Sequence, residues 1–318
     1  MVGEKNNQPY ISICIPTCKR PEIVKKTIDS IYNQGVDHNL FEVCISDNSE
    51  TDETQKLILD NYSDIDNLIY SRNNVEGFLN SIEALKLGKG KLLKLHNDYS
   101  VFKEDTLQKI ITVTSSYSEY NSCLFFSMGA LKNYGLKNLS SFNDFLYYAN
   151  YWTTWSSAFA IWKSDFISLP EKNIVLDHMF PHTSLLFSLS DKKQYIVDDR
   201  KYIDNIPLKK KGGYNLPDNF IHLYLSMVKK LIEDGNIQEQ TYLKIENGIL
   251  KFTGEWKYAV ERHSDVYSFR FDDAESIIQK QCGKSGVRKY HYWYYRKKLL
   301  GSIKYTVKKV INPKSSDH

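Results

Sequence analysis

The tripeptide His96-Asn97-Asp98 follows a short apolar run, Leu92-Leu93-Lys94-Leu95, which Gly90 sets off from what precedes it. A carboxylate at the end of such a run can hold a divalent cation, and a cation held there can grip a diphosphate. Leu93 and Leu95 alternate with Lys94 and His96, which predicts a strand at least partly buried, with the last two on its other side. In open α/β sheets ligands bind outside the carboxyl ends of the strands, so these three residues stand where chemistry is expected. The plain alternative is an aspartate in a turn. The elements upstream favour the chemical reading.

Those elements alternate. Tyr10–Ile15 predicts a buried first strand that Pro16-Thr17 ends, and Pro21 opens a helix with Val24, Ile28 and Ile31 on one face. Phe41–Ser46 predicts a second strand, ending on Asp47-Asn48-Ser49, and a helix follows through Glu53–Leu59. Leu68–Tyr70 predicts a third strand, and Gly77–Leu87 a helix that Gly88 and Gly90 stop. Strand and helix in this order predict a doubly wound α/β domain.

The motifs Ile11-Ser12-Ile13-Cys14-Ile15-Pro16-Thr17, Arg20-Pro21, Phe41–Asp47 and Asn73-Asn74-Val75-Glu76-Gly77, followed by Ala84, Gly90 and the apolar strand, resemble the family-2 glycosyltransferases. The resemblance is close over Tyr10–Asp98, loose as far as Asp199 and absent beyond. It implies a GT-A fold, a Rossmann-like mixed sheet, and inverting transfer of a sugar from a nucleotide-sugar donor, with a uridine diphosphate sugar favoured. By position it implies donor-binding roles for Pro16, Thr17, Arg20, Asp47, Asn74, Gly77, His96 and Asn97, and a Mg2+ or Mn2+ ion at Asp98. His96 stands where the family usually has an aspartate. A neutral imidazole there can bond ribose or offer one nitrogen to a metal.

In Asn173-Ile174-Val175-Leu176-Asp177-His178, Asp177 matches the second of an acidic pair that the family places before a helix, which implies that it is the general base; Leu176 replaces the first. His178 and His182 are four apart with Pro181 between them; the resemblance implies that one of them, His182 in preference, shares the cation of Asp98. The aromatic stretch Phe142–Trp162 falls on the acceptor side, where Trp152 and Trp155 either stack on a sugar or pack a subdomain. Lys209-Lys210-Lys211-Gly212-Gly213 is either a loop over a diphosphate or a solvated charge run.

The chain has 318 residues, 42% hydrophobic and 25% charged, as soluble globular proteins have, but 23 of them are tyrosine. Its five cysteines are irregularly spaced, with no CxxC pair, and are expected to be reduced, which points to the cytoplasm. Met1–Gln8 is polar and no apolar run approaches membrane-spanning length. Pro217 marks an expected boundary between a GT-A domain at 1–216 and a helical region at 217–318. From Lys284 onward ten residues are basic and one, Asp317, is acidic, which leaves 32 basic and 37 acidic residues before it. Within 284–310 the basic residues interleave with Tyr290, Tyr292, Trp293, Tyr294 and Tyr295, which suits peripheral attachment to an anionic membrane. Nucleic acid competes for the same composition, and the resemblance decides for a membrane.

The expected function is therefore an inverting, metal-dependent glycosyltransferase of cell-surface polysaccharide synthesis. Its acceptor is a glycan or a polyprenyl-linked glycan at the inner face of the plasma membrane. The alternative from another class is a GT-A-like nucleotide- or glycan-binding scaffold without turnover, which His96 favours and the aspartates Asp47 and Asp98 oppose. A nucleotidyltransferase would need a glycine-rich loop where Thr17-Cys18-Lys19-Arg20 stands.

Overall fold

In order, the chain forms β1 (Ile11–Thr17), α1 (Pro21–Tyr32), β2 (Phe41–Asp47), α2 (Glu53–Tyr62), β3 (Leu68–Arg72), α3 (Asn80–Leu87) and β4 (Leu92–Leu95). These belong to a computed structural model that describes residues 8–169 and 173–311, with side chains described as far as residue 302. The polar stretch read at Met1–Gln8 thus lies outside the described residues up to Asn7. The strands order as β3-β2-β1-β4 with all neighbours parallel, and β8 (Ala160–Trp162) adds antiparallel beside β4. The result is a mixed sheet.

Sequence periodicity explains the core. Val24, Ile28 and Ile31 of α1 are fully buried against Ile11, Ile13 and Ile15 of β1 and Val43 and Ile45 of β2. Pro21 starts α1 where its missing N–H has no intrahelical acceptor to lose. Gly90 is required by close approach: a Cβ there would lie 2.7 Å from the backbone of Ile11 and Ser12. All four residues of β4 are buried, Lys94 included. The expected alternation therefore separates two packed faces, not a packed face from an open one.

After β4 come β5 (Ser100–Phe102), α4 (Thr106–Tyr117), β6 (Cys123–Phe126), β7 (Leu136–Leu139), α5 (Phe142–Ala149), β8, α6 (Lys163–Ser168), α7 (Pro181–Phe187), β9 (Tyr195–Asp198) and β10 (Ile203–Asn205). β10 pairs with β5, and β9 lies between β6 and β7. The chain divides between Pro207 and Leu208 into two compact units. The second holds α8 (Leu225–Glu233), α9 (Glu239–Arg262) and α10 (Ala274–Ile311), the last broken at Gly283. Lys209–Gly213 belongs to this second unit. Lys211 bridges to Tyr267, Lys210 Nζ donates to Ser264 O, and Gly213 N donates to Ser268 O. Of the two readings of this segment, a loop over a diphosphate or a solvated charge run, neither is decided by these bonds, which tie it along a strand-like partner.

Candidate active site

β1 lies between β2 and β4, so the chain leaves the sheet in opposite directions on its two sides. The crevice at such a switch point is where doubly wound sheets bind ligands. Thr17 ends β1 in register with Asp47, which ends β2, and Asp98 follows β4 by three residues.

Asp98 is 3% exposed. Thr17 Oγ1 donates to its Oδ2 at 2.8 Å, Arg20 Nη1 donates to its Oδ1 at 2.9 Å, and Thr27 Oγ1 donates to its backbone oxygen at 2.8 Å. Burial raises the Asp98 pKa, against the lowering pull of Arg20 and Thr17. A buried carboxylate needs a cation, and Arg20 supplies one. The Arg20 guanidinium also lies over the Tyr99 ring, 5.8 Å from its centre, and is itself about a third exposed. It can therefore turn outward without unpacking the core.

Asp47 is fully buried with both oxygens engaged. Ser49 donates to Oδ1 through both its backbone N–H and its hydroxyl, and Tyr70 OH donates to Oδ2 at 2.8 Å. The Ser49 hydroxyl in turn accepts from Lys19 N, which fixes the loop after β1. Beside it Asn80, 3% exposed, joins three segments. Its Oδ1 accepts from Ser46 Oγ and Asn73 Nδ2, and its Nδ2 donates to the Ser46 and Thr17 carbonyls. Nothing in the sequence marked Asn80, because an asparagine inside a helical pattern carries no periodic signal. Asn74 and Gly77 lie exposed on the neighbouring loop, which Asn48 holds through Val75 O, and Pro16 is half-buried.

His96 is not placed as a donor or metal ligand. It is 1% exposed, bonds Ser100 O through Nε2 at 2.6 Å, and packs edge-on against Phe102. Burial lowers its pKa to about 3, so the ring is neutral, with the Nε2 proton on the carbonyl; Nδ1 has no protein partner. His96 holds the turn that presents Asp98. Asn97 also faces inward. Its N–H donates to Ser157 Oγ, its Oδ1 accepts from Ser156 Oγ, and its Nδ2 donates to Tyr99 OH. Lys94 Nζ donates to Leu95 O and Ser157 O, and burial lowers its pKa to about 7. The turn at 156–158 is thereby stitched to the Asp98 loop.

The half-buried rings precede that turn. Tyr151 stacks on Trp152, Trp152 meets Trp155 edge-on at 5.8 Å, and Trp155 also packs against the core. Packing thus accounts for part of these rings, and their exposed parts remain a surface. From the other side, α7 holds the same segment: His182 Nε2 bonds Thr154 O at 3.0 Å, and Thr183 Oγ1 donates to Thr153 O. His182 is 5% exposed with its pKa lowered by burial to about 4. It anchors the aromatic turn. His178 precedes α7, so the two histidines do not share a helix. Among the described residues no three His, Cys, Asp or Glu side chains gather closely enough to hold a metal ion.

Asp177 closes the turn that leads into α7. Its Oδ1 accepts from Met179 N at 2.8 Å and Phe180 N at 2.7 Å, and its own N–H donates to Ser184 Oγ. Oδ2 takes no hydrogen bond from the described residues, and the side chain is half-exposed. Asp98, the ring turn and Asp177 thus sit on one hydrogen-bonded framework.

Two buried neutral histidines make the fold sensitive to acid. An unfolded histidine takes its proton near pH 6.5, whereas folded His96 and His182 take theirs near 3 and 4. Between those values the unfolded chain binds more protons, so this stability is present above about pH 6.5 and lost as pH falls. Each histidine should contribute a slope of about 1.4 kcal/mol per pH unit. Urea titrations from pH 7 to 4 should show that slope, and His96→Phe should flatten it. An unchanged slope in His96→Phe would contradict the neutral, buried ring.

Residues 12–149 match the model of glycosyl transferase family 2. The abequosyltransferase RfbV of Salmonella typhimurium is 31% identical over 118 residues, which are 36% of this chain and 35% of that protein. The match therefore spans about a third of this relative's length. Among solved structures, S. aureus TarS 1–349 in complex with UDP-GlcNAc has a TM-score of 0.61 at 15% identity, over 90% of this chain and 91% of that one. The mannosyltransferase PcManGT of Pyrobaculum calidifontis, in complex with GDP-Man and Mn2+, has a TM-score of 0.54 at 15% identity, over 95% and 87%. At these identities the structural likeness speaks for the fold. The sequence match places residues 12–149 with family 2, and the structural likeness gives the chain a GT-A fold.

Proposed function

We propose that the protein is an inverting glycosyltransferase of cell-surface polysaccharide synthesis. It takes a sugar from a nucleoside-diphosphate donor, with uridine favoured as the base, and passes it to a glycan or polyprenyl-linked acceptor at the cytoplasmic face of the membrane. The observation that carries this reading is the Thr17–Arg20–Asp98 cluster, buried in the crevice between β1 and β4. TarS and PcManGT, both solved with nucleotide-sugars, are similar to this chain in fold, which supports the reading.

The donor set fits a divalent cation of the Mg2+ or Mn2+ kind. Such ions are bound by one or two carboxylates together with substrate phosphates and water, and Asp98 is a single buried carboxylate whose partner Arg20 can turn away. When bound, the ion would neutralise the leaving diphosphate. Arg20, released from Asp98, would bond the same diphosphate through its planar fork of donors. In transfer the bond from the anomeric carbon to the diphosphate breaks, the acceptor oxygen bonds to that carbon from the opposite face, and its proton passes to Asp177 Oδ2. The rings of Trp152 and Trp155 would hold the acceptor sugar. Residues 12–17, 47–49 and 73–77 would form the nucleoside side, with Asp47 setting its shape through Ser49 and Tyr70.

Asp47→Ala should weaken nucleoside-diphosphate binding by about 1.5–3 kcal/mol, the range for a lost charged hydrogen-bonding group. Turnover at saturating donor should change far less. Calorimetry on the variant measures this, and undiminished affinity would remove Asp47 from the nucleoside side. The whole proposal is tested by incubating the protein with a panel of nucleotide-sugars, Mn2+ and cell-envelope glycolipid. Release of nucleoside diphosphate that requires both donor and acceptor supports it. No release with any donor would leave the scaffold reading.

A further inference from the structure

The second unit carries a surface that its own packing leaves uncovered. One side of α10 lies on α9: a Cβ on Gly254 would stand 2.6 Å from Tyr290 O, Tyr290 is fully buried, and Tyr294 OH donates to Glu261. In a helix with 3.6 residues per turn, Tyr292, Tyr295 and Leu299 fall on the side turned away from Tyr290. They are 59%, 60% and 63% exposed, and Leu300 beside them is 41% exposed. A helix that already buries one face ordinarily shows charged and polar side chains on the other. Here the outer face shows large rings and leucines, which need an apolar partner.

The charges beside that stripe indicate which partner. Residues 284–302 contain Lys284, Arg288, Lys289, Arg296, Lys297 and Lys298 and no acid. The acids that meet this segment are Glu255 near Lys297, Glu261 at Tyr294 and Glu275 at His291, all carried outside it. Arg296 and Lys298 lie over the rings of Trp293 and Tyr294. Tyrosines and leucines ringed by cations fit the boundary between acyl chains and anionic headgroups. A nucleic acid would use the cations but give exposed leucines nothing to enter. Among the described residues no helix is long and apolar enough to cross a membrane. The side chains of Lys304, Lys308 and Lys309, part of the basic tail read from sequence, lie outside the described residues.

We infer that the outer face of α10, with Tyr292, Tyr295 and Leu299 at its centre and Arg288, Arg296 and Lys298 around them, docks the protein on an anionic lipid bilayer. The inference rests on the proposed function for its setting, a lipid-linked acceptor, but its test involves no sugar transfer. The full chain is sedimented with vesicles of phosphatidylcholine alone and with vesicles that also contain phosphatidylglycerol. Binding to the anionic vesicles should exceed binding to neutral ones by on the order of a hundredfold at low salt, and the excess should shrink as salt is added.

Tyr292→Ser/Tyr295→Ser/Leu299→Ser and Arg288→Gln/Arg296→Gln/Lys298→Gln should each reduce anionic-vesicle binding by roughly tenfold or more. All six side chains are exposed, so both variants should melt at the wild-type temperature. They should also bind nucleoside diphosphate as the wild type does, which separates failure here from failure of the transferase reading. Equal binding to both vesicle types would overturn the inference. So would binding to duplex DNA but not to vesicles. A self-associating wild type that ignores vesicles and becomes monomeric on the tyrosine and leucine changes would assign the face to a second copy of the chain.

Discussion

Asp98→Asn should leave the protein folded and reduce transfer by on the order of 10²–10³-fold or more, the scale for losing one preorganised charge contact at a reacting centre. The substitution keeps the size of the side chain, and its carbonyl oxygen can still accept from Thr17 Oγ1 or Arg20 Nη1. What it removes is the only carboxylate in the β1–β4 cluster. The Arg20 cation then loses its buried partner, and a divalent ion, as proposed above, would lose its protein ligand. Nucleoside-diphosphate affinity should fall together with turnover, and EDTA should reproduce the loss in the wild type. Normal turnover in the variant, or a wild type indifferent to EDTA, would contradict the role given to Asp98.

The second large effect should come from Asp177→Asn. General-base catalysis typically contributes 10²–10⁴-fold, and turnover should fall by about that factor with donor affinity nearly intact. The structure makes this a clean substitution. Asparagine keeps an oxygen for the N–H groups of Met179 and Phe180, so the turn before α7 survives while the basic oxygen is lost. A collapse of donor affinity would instead make Asp177 a donor or metal ligand. Little change in Asp177→Asn beside a dead His178→Ala would move the base to a histidine. His182→Ala is a weaker comparison, because His182 holds Thr154 O and its loss disturbs the aromatic turn.

Much of the fold around the site was legible because its strands and helices are regular. Buried parallel strands give near-continuous apolar runs, and the apolar face of α1 repeats at helical spacing. The strand ends carrying Thr17, Asp47 and Asp98 could therefore be located, and the order of β1, β2, β3 and β4 followed. Three parts were not legible. β8 joins the sheet from about 65 residues beyond β4, and Ala160-Ile161-Trp162 is too short to announce a strand. The burial of Lys94 and His96 was not legible, because alternation assigns sides and not burial; only the second packed layer, with Phe126 and Phe102, encloses them. Asn80 acts through hydrogen bonds to residues between 7 and 63 positions away, and Asn97 bonds Ser156 and Ser157, 59 and 60 positions away, pairings that local patterns do not encode.

His96 bears on the choice between enzyme and scaffold. As an open substitute for an aspartate it would have spoken for a site that has lost a ligand. As a buried ring bonded to Ser100 O and packed against Phe102 it supports the Asp98 turn. The case against turnover loses its one sequence feature, and the intact Thr17–Arg20–Asp98 cluster remains.

The crevice between β1 and β4 is proposed to hold a nucleoside diphosphate through Asp98. Calorimetric titration of wild type and Asp98→Asn with UDP, GDP, CDP and dTDP, each in the presence of Mn2+, tests it most directly. At least one of them should bind the wild type, with UDP favoured, and Asp98→Asn should lose that binding while melting near the wild-type temperature. Binding of none of the four, or equal binding to both proteins, would contradict it.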